Sequence, residues 1–175
     1  MAKRIIAIGG EPASGKTTMM RKIIKHFQPL RHFKFGLVRG LYSEKKKLYF
    51  IGIYDNSTFS GTDKLSMAVQ PDFLKLIEEL HDGVIVFEGD RLFNQSLFDQ
   101  KACEIYIVET TEQMLEQRHK KRSDNQTDKF KKAKKTKIQN IRKNNEHATL
   151  KNITEADLDE CVEFIIKRIN HGLQH

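Results

Sequence analysis

Residues 10–17 read Gly-Glu-Pro-Ala-Ser-Gly-Lys-Thr, a full match to G-x-x-x-x-G-K-[ST]. The spacing suits one chemistry. Glycines let successive backbone N–H groups turn inward around a phosphate, and a following helix presents its positive N-terminal end to it. Lys16 can reach the β- and γ-phosphates, and the Thr17 hydroxyl can ligand Mg²⁺. Gly10, Ala13, Ser14, Gly15, Lys16, Thr17 and Thr18 are therefore the expected binding stretch for ATP with its Mg²⁺.

Such a loop works only between a strand and a helix, and both are legible. Arg4–Ile8 is an Ile-rich run bounded by glycines and reads as a buried strand. Gly15–Phe27 places Met19, Met20, Ile23, Ile24 and Phe27 at helical spacing, and Pro29 stops it. Phe35–Leu41 and Leu48–Tyr54 predict a hairpin with a Lys45-Lys46-Lys47 tip, followed by a polar loop over Asp55–Thr62. Helical pieces are expected at Asp63–Val69 and at Pro71–Leu80, the second with Pro in its first position. Val84–Phe87 and Glu104–Val108 are two more buried strands. Thr110 and Thr111 cap a helix to about Arg122, a polar stretch covers Ser123–Thr127, and Lys129–Lys143 is a basic helix. His147–Leu150 is a weak last strand, and Thr154 with Asp157 resembles a capping box opening a final helix. Strands alternating with helices predict one α/β domain, a sandwich with a mostly parallel sheet into which the hairpin is inserted.

The chain has 175 residues and a net charge of +8, a length that fits one domain. The charge is concentrated. Arg118–Lys143 carries twelve Lys or Arg against Asp124 and Asp128, so the remainder is slightly acidic. That segment is expected to meet a polyanion, nucleotide or nucleic acid, or else to be a solvated basic helix. No apolar run nears the ~18 residues of a membrane span, so no membrane partner is expected and the N-terminus reads as mature protein. Two cysteines without a CxxC spacing suit a reducing cytoplasm and exclude a disulfide framework. No zinc site is expected from the seven histidines, and no Ser-His-Asp arrangement is signalled.

The motif in this context resembles that of P-loop kinases of the nucleoside and nucleotide kinase type, most firmly over residues 4–28. The resemblance implies a P-loop three-layer sandwich and an arginine-bearing lid after the third buried strand, here about residues 112–143. Arg118 and Arg122, four apart on one helix face, are then the lid arginines that neutralise the transferring phosphoryl group. In the family an acidic site follows a buried strand. Glu88 holds that place, where many P-loop proteins carry Asp, and would bind Mg²⁺ through water or accept the substrate proton. Asp90 and Arg91 just beyond it would contact substrate. In some relatives an Asp in the second-strand region is the base. Asp55 occupies that region, with Asp63 in the loop after it, although Asp55 equally suits a turn. Arg39 would bind a substrate phosphate or be an exposed strand residue.

The expected reaction is phosphoryl transfer from ATP–Mg²⁺ to a hydroxyl, in which positioning and charge neutralisation do most of the work. The basic surplus exceeds what a mononucleotide needs and favours a nucleotide unit in DNA or RNA. The Lys-rich chain also resembles bacteriophage kinases acting on 5-hydroxymethyluracil in DNA, which would place it in the host cytoplasm. A free nucleoside or nucleoside-monophosphate kinase is the alternative, and a nucleic-acid-binding P-loop switch ATPase is the alternative of another class. Phe93, Phe98 and Phe130 are the aromatics near the basic parts, each read as core.

Overall fold

The computed structural model describes residues 2–55, 60–122 and 126–175. Seven strands form one sheet: β1 (Lys3–Gly9), β2 (Arg31–Phe35), β3 (Val38–Ser43), β4 (Leu48–Ile51), β5 (Gly83–Glu88), β6 (Glu104–Glu109) and β7 (Ala148–Lys151). Six α-helices accompany them among the described residues: α1 (Lys16–His26), α2 (Val69–Glu79), α3 (Gln95–Gln100), α4 (Glu112–Lys121), α5 (Asp128–Asn144) and α6 (Glu155–Gln174). The sheet order is β2-β3-β4-β5-β1-β6-β7, with β4 through β7 in that order all parallel and β3 antiparallel to both its neighbours.

The central strands are apolar on both faces because both are covered. In β1, Ile6 and Ile8 pack with α1 and α6, through Met20, Ile23, Leu158 and Ile165. Ile5 and Ala7, pointing the other way as successive strand residues must, pack with α2, α3 and α5, through Phe73, Ile77, Leu97, Ile138 and Ile141. The result is a helix–sheet–helix sandwich. Local signals set several boundaries. Thr111 accepts a hydrogen bond from Met114 N and opens α4, and Thr127 does the same for α5. Both arms of the Thr154/Asp157 capping box are made.

Three expectations need correction. The predicted hairpin is a three-stranded meander, because Arg31–Phe35 forms an additional strand with Phe33 and Phe35 partly buried. It is part of the main sheet, since β4 pairs with β5. The helix expected at Asp63–Val69 is only a 3₁₀ turn at Thr62–Lys64. There Thr62 Oγ1 donates to the Glu88 carbonyl at 2.8 Å, and Arg91 Nε donates to the Leu65 carbonyl at 3.1 Å, holding the backbone to the end of β5. α2 begins at Val69, so Pro71 is its third residue, where the missing N–H costs no intrahelical bond. His171 and His175 are four residues apart at the C-terminal end of α6, and their rings meet at 4.7 Å. Among the described residues no group of three metal-ligating side chains forms, there or elsewhere. Of the polar stretch expected at 123–127, residues 123–125 lie outside the described residues. No described helix is long and apolar enough to cross a membrane.

Candidate functional site

Because β5, β1 and β6 are parallel neighbours, their C-terminal ends lie on one edge of the sheet. Ile8 stands level with Glu88, and Gly9 with Ile107. Crevices outside such ends are where α/β sheets bind ligands. The glycine-rich loop joins β1 to α1 at this edge. Gly15 has φ 101°, a conformation that favours glycine, and a Cβ there would collide with the Asn152 side chain. Ala13 is held at φ 67°, an unusual conformation for a residue with a Cβ.

The loop presents donors. Lys16 Nζ donates to the carbonyls of Gly10 at 2.7 Å and Glu11 at 3.0 Å. Ser14 Oγ is buried and has no hydrogen-bond partner. The Lys16 ammonium and the Thr17 hydroxyl, which line one cavity, are a donor pair that fits an oxyanion.

Lys16 and Thr17 open onto a cavity of about 310 Å³ whose opposite wall includes Asp63, Glu88, Asp90 and Arg91. Glu88 is 1% exposed. Its Oε1 accepts from Tyr54 Oη at 3.2 Å and lies 3.5 Å from Thr17 Oγ1. Gly61, at φ 79°, backs directly onto Oε1, and a side chain at that position would collide with it. Burial is the main cause raising the Glu88 carboxyl to about 7; the Lys16 ammonium opposes the shift and Asp63 adds to it. Tyr54 is pushed well above its ordinary value by burial and by the adjacent carboxylate, so it stays a hydrogen-bond donor. Asp63 stands at the exposed rim. The surrounding protein and the Asp90 charge raise its carboxyl, while Lys16 and the Asp90 N–H, donating to Oδ1 at 2.9 Å, oppose this.

The basic segment divides by role. Arg122 reaches the cavity of Lys16 and Glu88. Arg118, one turn earlier, instead donates to the carbonyls of Ala13 at 3.2 Å and Ser14 at 3.1 Å, and to that of Asn152 at 3.3 Å. It lines a second cavity with Thr18, Asn152 and Leu158. On α5, Lys134 pairs with Asp90 at 2.6 Å, Lys137 donates to the Asp90 carbonyl at 3.2 Å, and Lys135 pairs with Glu112 at 2.7 Å. Burial opposes the ionisation of Asp90, but the two lysines hold its carboxyl below the usual value. Lys134 therefore belongs to the cavity wall and not to a remote basic face.

Asp55 and Arg39 are not brought to this cavity. Asp55 is ion-paired with Lys64, and both Asp55 and Arg39 line a separate groove along β2, β3 and the segment after β4. Arg91 lines the cavity and braces the turn after Thr62. The sequence reading missed Tyr54, Gly61 and Asn152. Asn152 Nδ2 donates to the Ser14 carbonyl at 2.9 Å, and its signal was its place between β7 and the capping box. Tyr54 and Gly61 carried no motif. Phe130 was expected in the core and is instead 41% exposed in the cavity wall.

No protein-family model matches the chain, and no curated protein matches it. Among solved structures it is similar to TT1252 from Thermus thermophilus, with a TM-score of 0.53 and 12% identity over 97% of this chain and 99% of that one. The likeness extends across the sheet and both helical layers, and at this identity it concerns the fold alone.

Proposed function

We propose that the protein is a P-loop phosphotransferase that moves the γ-phosphoryl group of ATP to a hydroxyl of a nucleotide unit. The observation that carries this reading is the convergence of Lys16, Thr17 and the buried Glu88 in one cavity, at the junction where the Gly10–Thr17 motif enters α1. ATP with Mg²⁺ supplies the transferable group and a divalent charge. Gly10 and Ala13 to Thr18 hold the phosphates. Lys16 exchanges its two loop carbonyls for phosphate oxygens, and Thr17 faces the metal. Glu88, raised to about 7, is a base matched to neutral pH and takes the acceptor's hydroxyl proton. The acceptor oxygen bonds to phosphorus as the bond to the β-bridging oxygen breaks, and ADP leaves with that electron pair. Arg122 offsets the charge on the transferring group. Helices α4 and α5 shield the cavity from water, which suppresses hydrolysis.

Exposed Lys120, Lys121, Lys129, Lys132 and Lys143 favour an acceptor carried in DNA or RNA, such as a hydroxymethylated base. A free nucleotide is the second reading. It is favoured by the engagement of Lys134, Lys135 and Lys137 with Asp90 and Glu112, which removes them from a polymer-tracking face. The test is transfer of labelled γ-phosphate across nucleosides, mononucleotides, oligonucleotide ends and hydroxymethylated DNA. Label in an acceptor supports the kinase and identifies the acceptor. Free phosphate alone, with no acceptor labelled, would establish a P-loop switch ATPase instead.

A further inference from the structure

Helix α5 carries one mixed face. Ile138 and Ile141 anchor it in the core, 4% and 2% exposed, while Lys134 and Phe130 continue the same face by steps of four residues. Those last two residues leave the core and enter the wall of the Lys16–Glu88 cavity. The Phe130 ring packs under the Lys134 ammonium, 5.1 Å from its centroid, and keeps 41% of its surface exposed. Lys134 is itself fixed by Asp90 at 2.6 Å, so the ring sits against a tethered cation. An open aromatic ring in a wall otherwise built of Lys16, Asp63, Glu88, Asp90 and Arg122 contributes nothing to core packing. What a π-face offers in a polar site is stacking for a planar ligand; the Lys134 ammonium takes one face of the ring and leaves the opposite one for it.

The position of the ring separates the two substrates. Arg118, Asn152 and Thr18 enclose the second cavity, with Gly15 shared between the two. Phe130 stands in the first cavity with the carboxylates Asp63 and Asp90. We propose that Phe130 is the platform on which a nucleobase of the phosphate acceptor stacks. The acceptor class is thereby a base-bearing nucleotide or nucleic acid, and not a polyol, free sugar or sugar phosphate. The inference rests on the phosphotransferase reading above, and its test is chosen to fail separately from it.

The chain contains no tryptophan, so Phe130→Trp introduces a single fluorophore at the platform. Titration of this variant with thymidine monophosphate and oligothymidylate should quench its emission, while 2-deoxyribose 5-phosphate should not. Phe130→Ala should raise the KM for a base-bearing acceptor by roughly 5- to 100-fold, the range of one lost base–aromatic stack, with ATP affinity unchanged. Quenching by ATP alone at saturating concentration would assign the ring to the donor base and overturn the proposal. Absence of quenching by every base-bearing probe, in a variant that still binds ATP, would overturn it while leaving the kinase reading in place. Quenching by a base-bearing probe with no phosphate transferred to any acceptor would overturn the kinase reading and, with it, the assignment of the stacked base to a phosphate acceptor.

Discussion

The Thr17 hydroxyl lies 3.5 Å from Glu88 Oε1, so the N-terminus of α1 and the last residue of β5 meet across one cavity. The two residues are seventy-one positions apart. Their meeting depends on β5 pairing with β1 in parallel, with Ile8 level with Glu88. The contact joins the phosphate side of the site to its carboxylate side.

Lys16→Ala should abolish phosphoryl transfer and leave the fold intact. The ammonium bonds the carbonyls of Gly10 and Glu11 at the mouth of the cavity and lies outside the hydrophobic core. Circular dichroism and thermal unfolding should match the wild type while transfer of labelled phosphate disappears. Wild-type turnover in the folded variant would remove the P-loop reading.

Glu88→Gln and Asp55→Asn should separate sharply. Glu88→Gln removes the base in the cavity and should lower kcat by about 10²–10⁴-fold. Asp55, paired with Lys64 in the groove beside β2 and β3, should matter far less. The wild-type kcat/KM should rise with pH through a limb near 7, the value to which burial raises Glu88, because the ionised form is the base. Steady-state profiles of both variants test this. Equal losses would return Asp55 to the active site.

The same carboxyl makes stability depend on pH. Its folded value of about 7 exceeds the ordinary 4.5, so the folded state holds the proton more tightly. The resulting stabilisation is fully present below pH 4.5 and is lost as pH rises through 7, a change of ~3 kcal/mol. Glu88→Gln should therefore unfold at a higher temperature than wild type at pH 8. The two should converge near pH 4. Parallel melting curves across that range would show that Glu88 is not buried as described.

Salt dependence should tell a polymeric acceptor from a free nucleotide. Log K for an oligonucleotide should fall with log [salt] by about 0.7 to 0.9 per phosphate contacted. Replacing exposed Lys120, Lys129, Lys132 and Lys143 by Gln should flatten that slope without changing ATP affinity. Replacing Lys134 should instead alter turnover, since it touches Asp90 in the cavity wall. Oligonucleotide binding that is insensitive to both salt and the fourfold variant would favour the free-nucleotide kinase.

What the sequence determined by itself was local. Gly10–Thr17, the strand before it and the helix after it are contiguous, so spacing and hydrophobic period suffice to read them. The caps at Thr111 and Thr154 were legible for the same reason, since each acts on a backbone N–H three residues on. Glu88 was legible as a strand end, but its burial was not, because that depends on Tyr54 and Gly61 arriving from another strand and loop. Arg118 and Arg122 look equivalent on a helix wheel; only tertiary packing sends one to the loop carbonyls and the other to the cavity. Phe130 has the spacing of a core residue and fails to be one because its turn of α5 borders the cavity, while Ile138 and Ile141 further along reach the core. Asp55 and Asp63 are both loop aspartates in sequence. The turn after Gly61, tied to β5 by the Thr62 hydroxyl, carries Asp63 to the site and leaves Asp55 outside. Side-chain chemistry is written residue by residue, whereas its convergence is set by strand order and by which backbone groups must find partners across the sheet edge.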